Sequence, residues 1–163
     1  SAAFILSASE GGNHYLPALR SQPERFEPNS RERLLAGAMI PSAWYIQAQR
    51  FRRHAQQAFR TLFQHADVLI APATPCCATV IGEQTMTIND HELPIRASMG
   101  MLTQPISFLG LPVTAVPLRS ANGLPIGVQL IAAPFNEQAC LRAARALEQQ
   151  GVTCAQVAEI ANK

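Results

Sequence analysis

Few side chains in these 163 residues could do covalent chemistry, and they are poorly spaced for it. Cys76 and Cys77 are adjacent, Cys140 and Cys154 are remote, and none sits in a Cys-x-x-Cys pair or beside a histidine at metal-ligand spacing. A bridge between Cys76 and Cys77 would strain the backbone. Thiols in a reducing cytoplasm are therefore the expectation. An independent cysteine hydrolase using Cys76 or Cys77 with His91 has only composition behind it. His14, His54, His65 and His91 are scattered, three of them beside polar helix or turn positions, and read as surface residues rather than bases. The single lysine is Lys163, the last residue; no serine follows it, and no Gly-Gly-Ser-Ser-Gly-like stretch occurs. Chain ends are mobile and catalysis needs near-fixed geometry, so Lys163 is a poor candidate base.

The elements around these residues read more clearly. Hydrophobic content of 48% with 15% charged residues is apolar for a soluble domain and implies that much of the surface is buried, either inside or against something else. A net charge of +2 is too small to argue for nucleic acid. No apolar run approaches the roughly 18 residues of a membrane span, so neither nucleic acid nor membrane is expected as a partner. The apolar pattern from Ser1 starts without a cap or methionine, as if inside an element.

Ala2 to Leu19 reads as mostly helical, with Gly11-Gly12 as a weakness or break. Pro23 and Pro28 place a surface loop over 21–29. Ser30 is a candidate N-cap, with Glu32 in the first turn, for a short helix that ends before Pro41. Ser42 opens the clearest helix: Trp44, Ala48, Phe51, Ala55, Phe59, Leu62 and Phe63 recur on one face. Its arginines read as a solvated face rather than a nucleic-acid surface.

Asp67 to Pro72 predicts a short buried strand ended by proline. Thr85–Ile88 and His91–Ile95 flank an Asn89-Asp90 turn and predict a hairpin. Residues 101–109 are a short helix or loop. Gly110-Leu111-Pro112 and Gly123-Leu124-Pro125 each open an apolar run, joined by Arg119-Ser120-Ala121-Asn122, which predicts two consecutive buried strands. Asn136 can cap a last helix with apolar face Ala139, Leu141, Ala143, Ala144 and Leu147, closed by Gly151. The order predicts an α/β fold with a mixed β-sheet flanked by helices and no internal domain boundary.

Four segments, in order, resemble the C-terminal part of the amidase-signature family. Ser7-Ala8-Ser9-Glu10-Gly11-Gly12-Asn13 is similar to its Ser-Ala-Glu-x-x-x-Asn helix. Arg31-Glu32-Arg33-Leu34-Leu35-Ala36-Gly37, followed by Ala48-Gln49-Arg50, resembles its Arg-Arg-Ile-x-x-Gly segment and the next helix. Asp67-Val68-Leu69-Ile70-Ala71-Pro72-Ala73-Thr74-Pro75 resembles its Asp-x-Leu-x-x-Pro-Thr-x-Pro strand and loop. The doubled Gly-Leu-Pro with Gly127-Val128-Gln129-Leu130 is the fourth. The strings are nearest to the carboxybiuret (biuret-type) amidase branch, whose relatives include the amidase component of glutamyl-tRNA amidotransferase.

The resemblance implies an amidohydrolase that needs no cofactor and works through a serine nucleophile, a second serine and a lysine. An uncharged lysine takes the proton through the second serine, and backbone N–H groups hold the oxyanion. In family members these groups lie in the N-terminal portion. Residues 1–163 are then expected to be the C-terminal portion of one amidase-signature domain, inactive alone. The expected partners are the missing N-terminal portion, a small amide or urea-like substrate, and further copies of the chain or a small accessory subunit.

Arg33 matches a substrate-carboxylate position of the glutamine-using relatives, where a guanidinium is a bidentate partner. It reads equally as a helix-surface arginine beside Glu32 or Glu24. The aspartate that recognises the substrate amino group in those relatives falls on Gly100 here, which suits an amine-free urea derivative. Gln104, next to Thr103, could bond such a substrate through its amide or satisfy its own loop. Thr74 could line the pocket or serve a turn. The alternatives are part of a glutamine-dependent amidotransferase, which Gly100 disfavours, and a non-catalytic binding module on the same scaffold.

Overall fold

The computed structural model describes residues 1–121 and 123–153. Asn122 of the expected turn, Cys154 and Lys163 lie outside the described residues. The chain divides into two compact units, Ser1–Phe59 and Arg60–Lys163.

The first unit is helical. Helix α1 spans Ala2–Ser21 and runs unbroken through Gly11-Gly12 and Pro17. A short 3₁₀ turn, Pro23–Arg25, leads to α2, Pro28–Ala38, and α3 covers Ser42–Leu62. The expected glycine break is a packing device instead. A Cβ on Gly12 would meet the Leu34 carbonyl oxygen at 2.6 Å, and one on Gly37 would overlap the Ala8 carbonyl. The two glycines let the α1 and α2 backbones approach more closely than any larger residue permits. Their conformational penalty, about 1 kcal/mol each against alanine, is offset by that contact.

The cap of α2 also differs from expectation. Glu27, not Ser30, accepts from the Asn29 and Ser30 backbone N–H groups at 3.1 and 2.8 Å. Pro28 takes the first helical position, where its missing donor does no harm, and so starts the helix two residues before Ser30. Helix α3 begins at Ser42 as expected, but of its apolar stripe only Ala48 is buried. Trp44, Phe51 and Leu62 are 59%, 56% and 48% exposed.

The second unit carries the sheets. Strand β1, Val68–Pro72, ends at its proline, and its Ile70 faces outward, 68% exposed, so the strand is only partly buried. Strands β2 (Thr85–Ile88) and β3 (His91–Pro94) form the expected hairpin. Asn89 and Asp90 have φ of 48° and 63°, positive at both turn positions, which matches the right-handed strand twist. Helices α4 (Ile95–Ser98) and α5 (Gln104–Leu109) follow.

The doubled Gly-Leu-Pro opens β4, Val113–Arg119, and β5, Pro125–Ala132. Gly110 stops α5 with φ 72°, and Gly123 ends the turn between the strands with φ 81°. Both positions need the left-handed region that glycine enters freely. The strand order is β1-β5-β4, so β4 with its internal Pro117 is an edge among the described residues, where a missing ladder donor is tolerated. Both pairings are antiparallel, whereas a mixed sheet was expected. The tight β4–β5 turn dictates one of them, since parallel strands need a long crossover.

Helix α6, Glu137–Gln149, packs on β5, β4 and β1. Leu130, Ile131 and Ala132 of β5 and Ala139 and Cys140 of α6 are 0% to 3% exposed and form the heart of this unit. The expected apolar face is off by one residue. Cys140 faces inward, with Ala143, Ala144 and Leu147 half-buried, while Leu141 is 61% exposed. One residue turns a helix by about 100°, so Cys140 and Leu141 cannot share a narrow stripe. Asn136 precedes α6 as expected, although its side chain makes no cap bond. At the other end Gly151, φ 69°, donates to the Glu148 carbonyl and Val152 to that of Leu147, both at 3.0 Å. This is a Schellman stop.

Candidate functional site

A cleft of about 630 Å³ lies in the second unit. Its wall is the loop after β1 (Thr74, Cys76, Cys77, Thr79), the middle of β4, the start of β5 and Met99. The strand end sets its shape: the Ala73 N–H donates to the Gly127 carbonyl at 2.9 Å, so the loop leaves β1 directly over β5. Gly127 is small by necessity, because a Cβ there would stand 3.0 Å from that of Ala73. Among the described residues, the lining holds hydroxyls, thiols and apolar groups, with no histidine, lysine or carboxylate. Such a surface can hold and orient a small molecule.

Thr74, one of the four residues singled out from the sequence, lines this cleft. Thr103 and Gln104 stand together at the start of α5 and are not in its lining. The Thr103 hydroxyl donates to the Gly100 carbonyl at 3.3 Å, and the Gln104 N–H donates to the same oxygen at 2.9 Å. The Gln104 side chain is exposed. Arg33 belongs to the first unit, on the outer side of α2, with its guanidinium carbon 5.2 Å from the centre of the Phe4 ring. That is a cation–π contact.

The residue that organises the second unit was not singled out. Gln129 sits in the middle of β5, 3% exposed. Its amide nitrogen donates to the Pro72 carbonyl at 2.9 Å and to the Leu102 carbonyl at 3.2 Å. One carboxamide thus ties the end of β1, two residues before Thr74, to the residue before Thr103. The signal in the sequence was a lone polar residue inside the apolar run from Ile126 to Ala132.

The first unit has a hollow of its own, about 390 Å³, bordered by Ser9, Glu10 and Asn13 of α1 and by Tyr45. The Tyr45 hydroxyl donates to Glu10 Oε1, and the Gln49 amide donates to that hydroxyl, both at 2.9 Å. The Ser9 hydroxyl oxygen is buried there without a partner. Among the described residues, no group of three or more histidines, cysteines or carboxylates could hold a metal ion. No described helix is long and apolar enough to cross a membrane.

Residues 9–141 match the amidase family, and the chain belongs to it. It is 50% identical over 153 residues to AtzE, a 1-carboxybiuret hydrolase subunit of Pseudomonas sp. strain ADP, covering 93% of this chain and 34% of that one. It is 34% identical over 135 residues to a glutamyl-tRNA(Gln) amidotransferase subunit of Dehalococcoides mccartyi strain BAV1, covering 79% and 26%. Among solved structures, a complex described as vestigial and as revealing the origins of an s-triazine catabolic enzyme superposes with a TM-score of 0.89. That match has 48% identity and covers 96% of this chain and 35% of the other. A crystal structure of an amidase superposes with a TM-score of 0.84 at 28% identity, covering 90% and 34%. The chain spans about a third of the length of the relatives it matches. The α/β architecture expected from the sequence is that of the corresponding region of these amidases.

Proposed function

We propose that this chain is the C-terminal portion of an amidohydrolase that cleaves a C–N bond in a small carboxylated urea or biuret-like compound. The observation that carries the reading is the 50% identity, across nearly the whole chain, to a protein of 1-carboxybiuret hydrolysis. In this reading the serine–serine–lysine apparatus resides on a preceding portion, and residues 1–163 contribute a wall of the substrate pocket.

The reaction adds water's oxygen to the substrate carbonyl carbon and expels the nitrogen as ammonia or an amine. A serine ester forms first and water then hydrolyses it. In the second unit, Gln104 and Thr103 are the candidates for hydrogen bonds to the urea groups and Thr74 for one side of the pocket; Arg33, in the first unit, is a separate candidate for the substrate carboxylate. Exposed apolar side chains on α3 suit burial against the preceding portion, another copy or a small accessory subunit. The thiols at Cys76, Cys77 and Cys140 suit a cytoplasmic enzyme.

The test is ammonia release by a protein that carries this sequence together with a preceding amidase portion, offered 1-carboxybiuret, biuret and glutamine. The expected result is preference for the carboxylated biuret and none for glutamine, with no turnover by residues 1–163 alone. Comparable turnover of glutamine would replace this reading with part of an amidotransferase. That second reading draws on the 34% identity to the glutamyl-tRNA(Gln) amidotransferase chain, and Gly100 in place of an amine-binding aspartate counts against it.

A further inference from the structure

We propose that the hollow of the first unit binds a small primary amine as its ammonium ion. Glu10 and Asn13 belong to the α1 string that carried the family resemblance, and the hydrolase reading gives neither a role. Ser9, Glu10 and Asn13 line one hollow of about 390 Å³, whose wall also includes Leu16, Ile40 and Tyr45. Residues three and four apart are neighbours on a helix surface, so Ser9, Asn13 and Leu16 share a face of α1 and Glu10 borders it. The start of α3 fixes the carboxylate. The Tyr45 hydroxyl donates to Glu10 Oε1, and the Gln49 amide donates to that hydroxyl, both at 2.9 Å. Both of these groups are uncharged, and the described residues of the lining include no basic side chain.

The acceptors set the class of ligand. The Ser9 hydroxyl oxygen is buried without a partner, a cost that a bound donor removes. Its neighbour in the chain is a carboxylate, which only accepts, and Asn13 adds a carboxamide oxygen. A primary ammonium group carries three N–H donors and one positive charge, so it can serve one carboxylate and two neutral acceptors together. An anion would be repelled by Glu10, and an alcohol brings a single donor. Leu16 and Ile40 offer apolar surface for a short carbon stem. Gly37 lines the same hollow at the point where α2 comes against the α1 backbone.

The site does not rest on the hydrolase reading, and its test needs no turnover. The purified protein is titrated with n-butylammonium chloride while backbone and side-chain amides are followed by heteronuclear NMR. Expected is saturable millimolar binding, with shifts centred on Ser9, Glu10, Asn13 and the Gln49 side-chain amide. Tetramethylammonium, equally charged but without N–H donors, binds about tenfold more weakly or worse. Glu10→Gln, which keeps an acceptor for Tyr45, weakens n-butylammonium by about tenfold or more, and Ser9→Ala by about threefold or more. Glu32→Gln, at an exposed carboxylate of α2, leaves it unchanged. Unaltered affinity in Glu10→Gln or in Ser9→Ala overturns the site, as do equal losses in Glu10→Gln and Glu32→Gln. Absence of saturation, or equal binding of tetramethylammonium, overturns it in the unmodified protein and leaves the Ser9 hydroxyl to water.

Discussion

Gln129 donates from the centre of β5 to the carbonyl of Leu102 at 3.2 Å, while the same nitrogen serves Pro72 at 2.9 Å. Two segments that share no ladder are thereby held to one strand. Each acceptor is a backbone oxygen and so indifferent to its own side chain; only the donor can be lost by mutation.

Gln129→Leu should therefore destabilise the protein by about 2 to 4 kcal/mol, because two carbonyls lose their donor in a buried place. Gln129→Glu should be worse, since an acceptor-only carboxylate would face two carbonyl oxygens. Urea unfolding measures both. A loss below about 0.5 kcal/mol in Gln129→Leu, the size of an ordinary surface change, would show that the amide does not hold these segments.

The glycines between α1 and α2 make a paired prediction. Gly37→Ala should lower stability by about 1 to 3 kcal/mol, as overpacking does, because the new methyl meets the Ala8 backbone. Gly11→Ala should be close to neutral. There the methyl meets only the end of the Leu34 side chain, at 3.2 Å, and alanine is the better helix former. Equal thermal melting of the two variants would contradict the close approach.

At the end of α6, Gly151 occupies φ 69° with open space around its Cβ position. Gly151→Ala should cost about 1 kcal/mol purely through backbone strain, and Gly151→Asn less, since asparagine tolerates that region. Thermal melts of the two variants rank them. A melting temperature for Gly151→Ala at or above that of the unchanged protein would remove the Schellman stop.

For the proposed chemistry, Arg33→Ala in an active amidase should raise KM for the carboxylated substrate by about tenfold or more and lower kcat less, the mark of lost binding. The uncarboxylated analogue should lose little. A KM that stays put would return Arg33 to its contact with Phe4 and nothing more.

Much of this was legible in the chain because the signals were local. The Asn89-Asp90 hairpin, the proline that ends β1 and the Gly151 stop each depend on a few neighbouring residues. So did the family resemblance, carried by short collinear strings. What escaped depended on partners distant in sequence. Gly12 read as a helix breaker until the Leu34 carbonyl was beside it. Leu141 read as inward because the choice between it and Cys140 depends on which way the sheet turns α6. Thr74 lies in a cleft wall, whereas Gln104 and Arg33 are exposed on their helices. Gln129 was hidden inside a motif that looked like scaffold, and its acceptors are 57 and 27 residues away.

The strand order has a consequence for birth on the ribosome. β5 is the last strand of its sheet to be made, yet it lies between the other two. Among the described residues, β1 pairs with β5, so Pro72 meets its ladder partner Val128 only after 56 further residues have been added. The α1–α2 pair, by contrast, is complete once Ala38 has been added. At elongation rates of about 5 to 20 residues per second, β1 waits several seconds for its β5 partner. During that interval its exposed edge is the place where nascent chains would pair with one another, or where a chaperone would hold on.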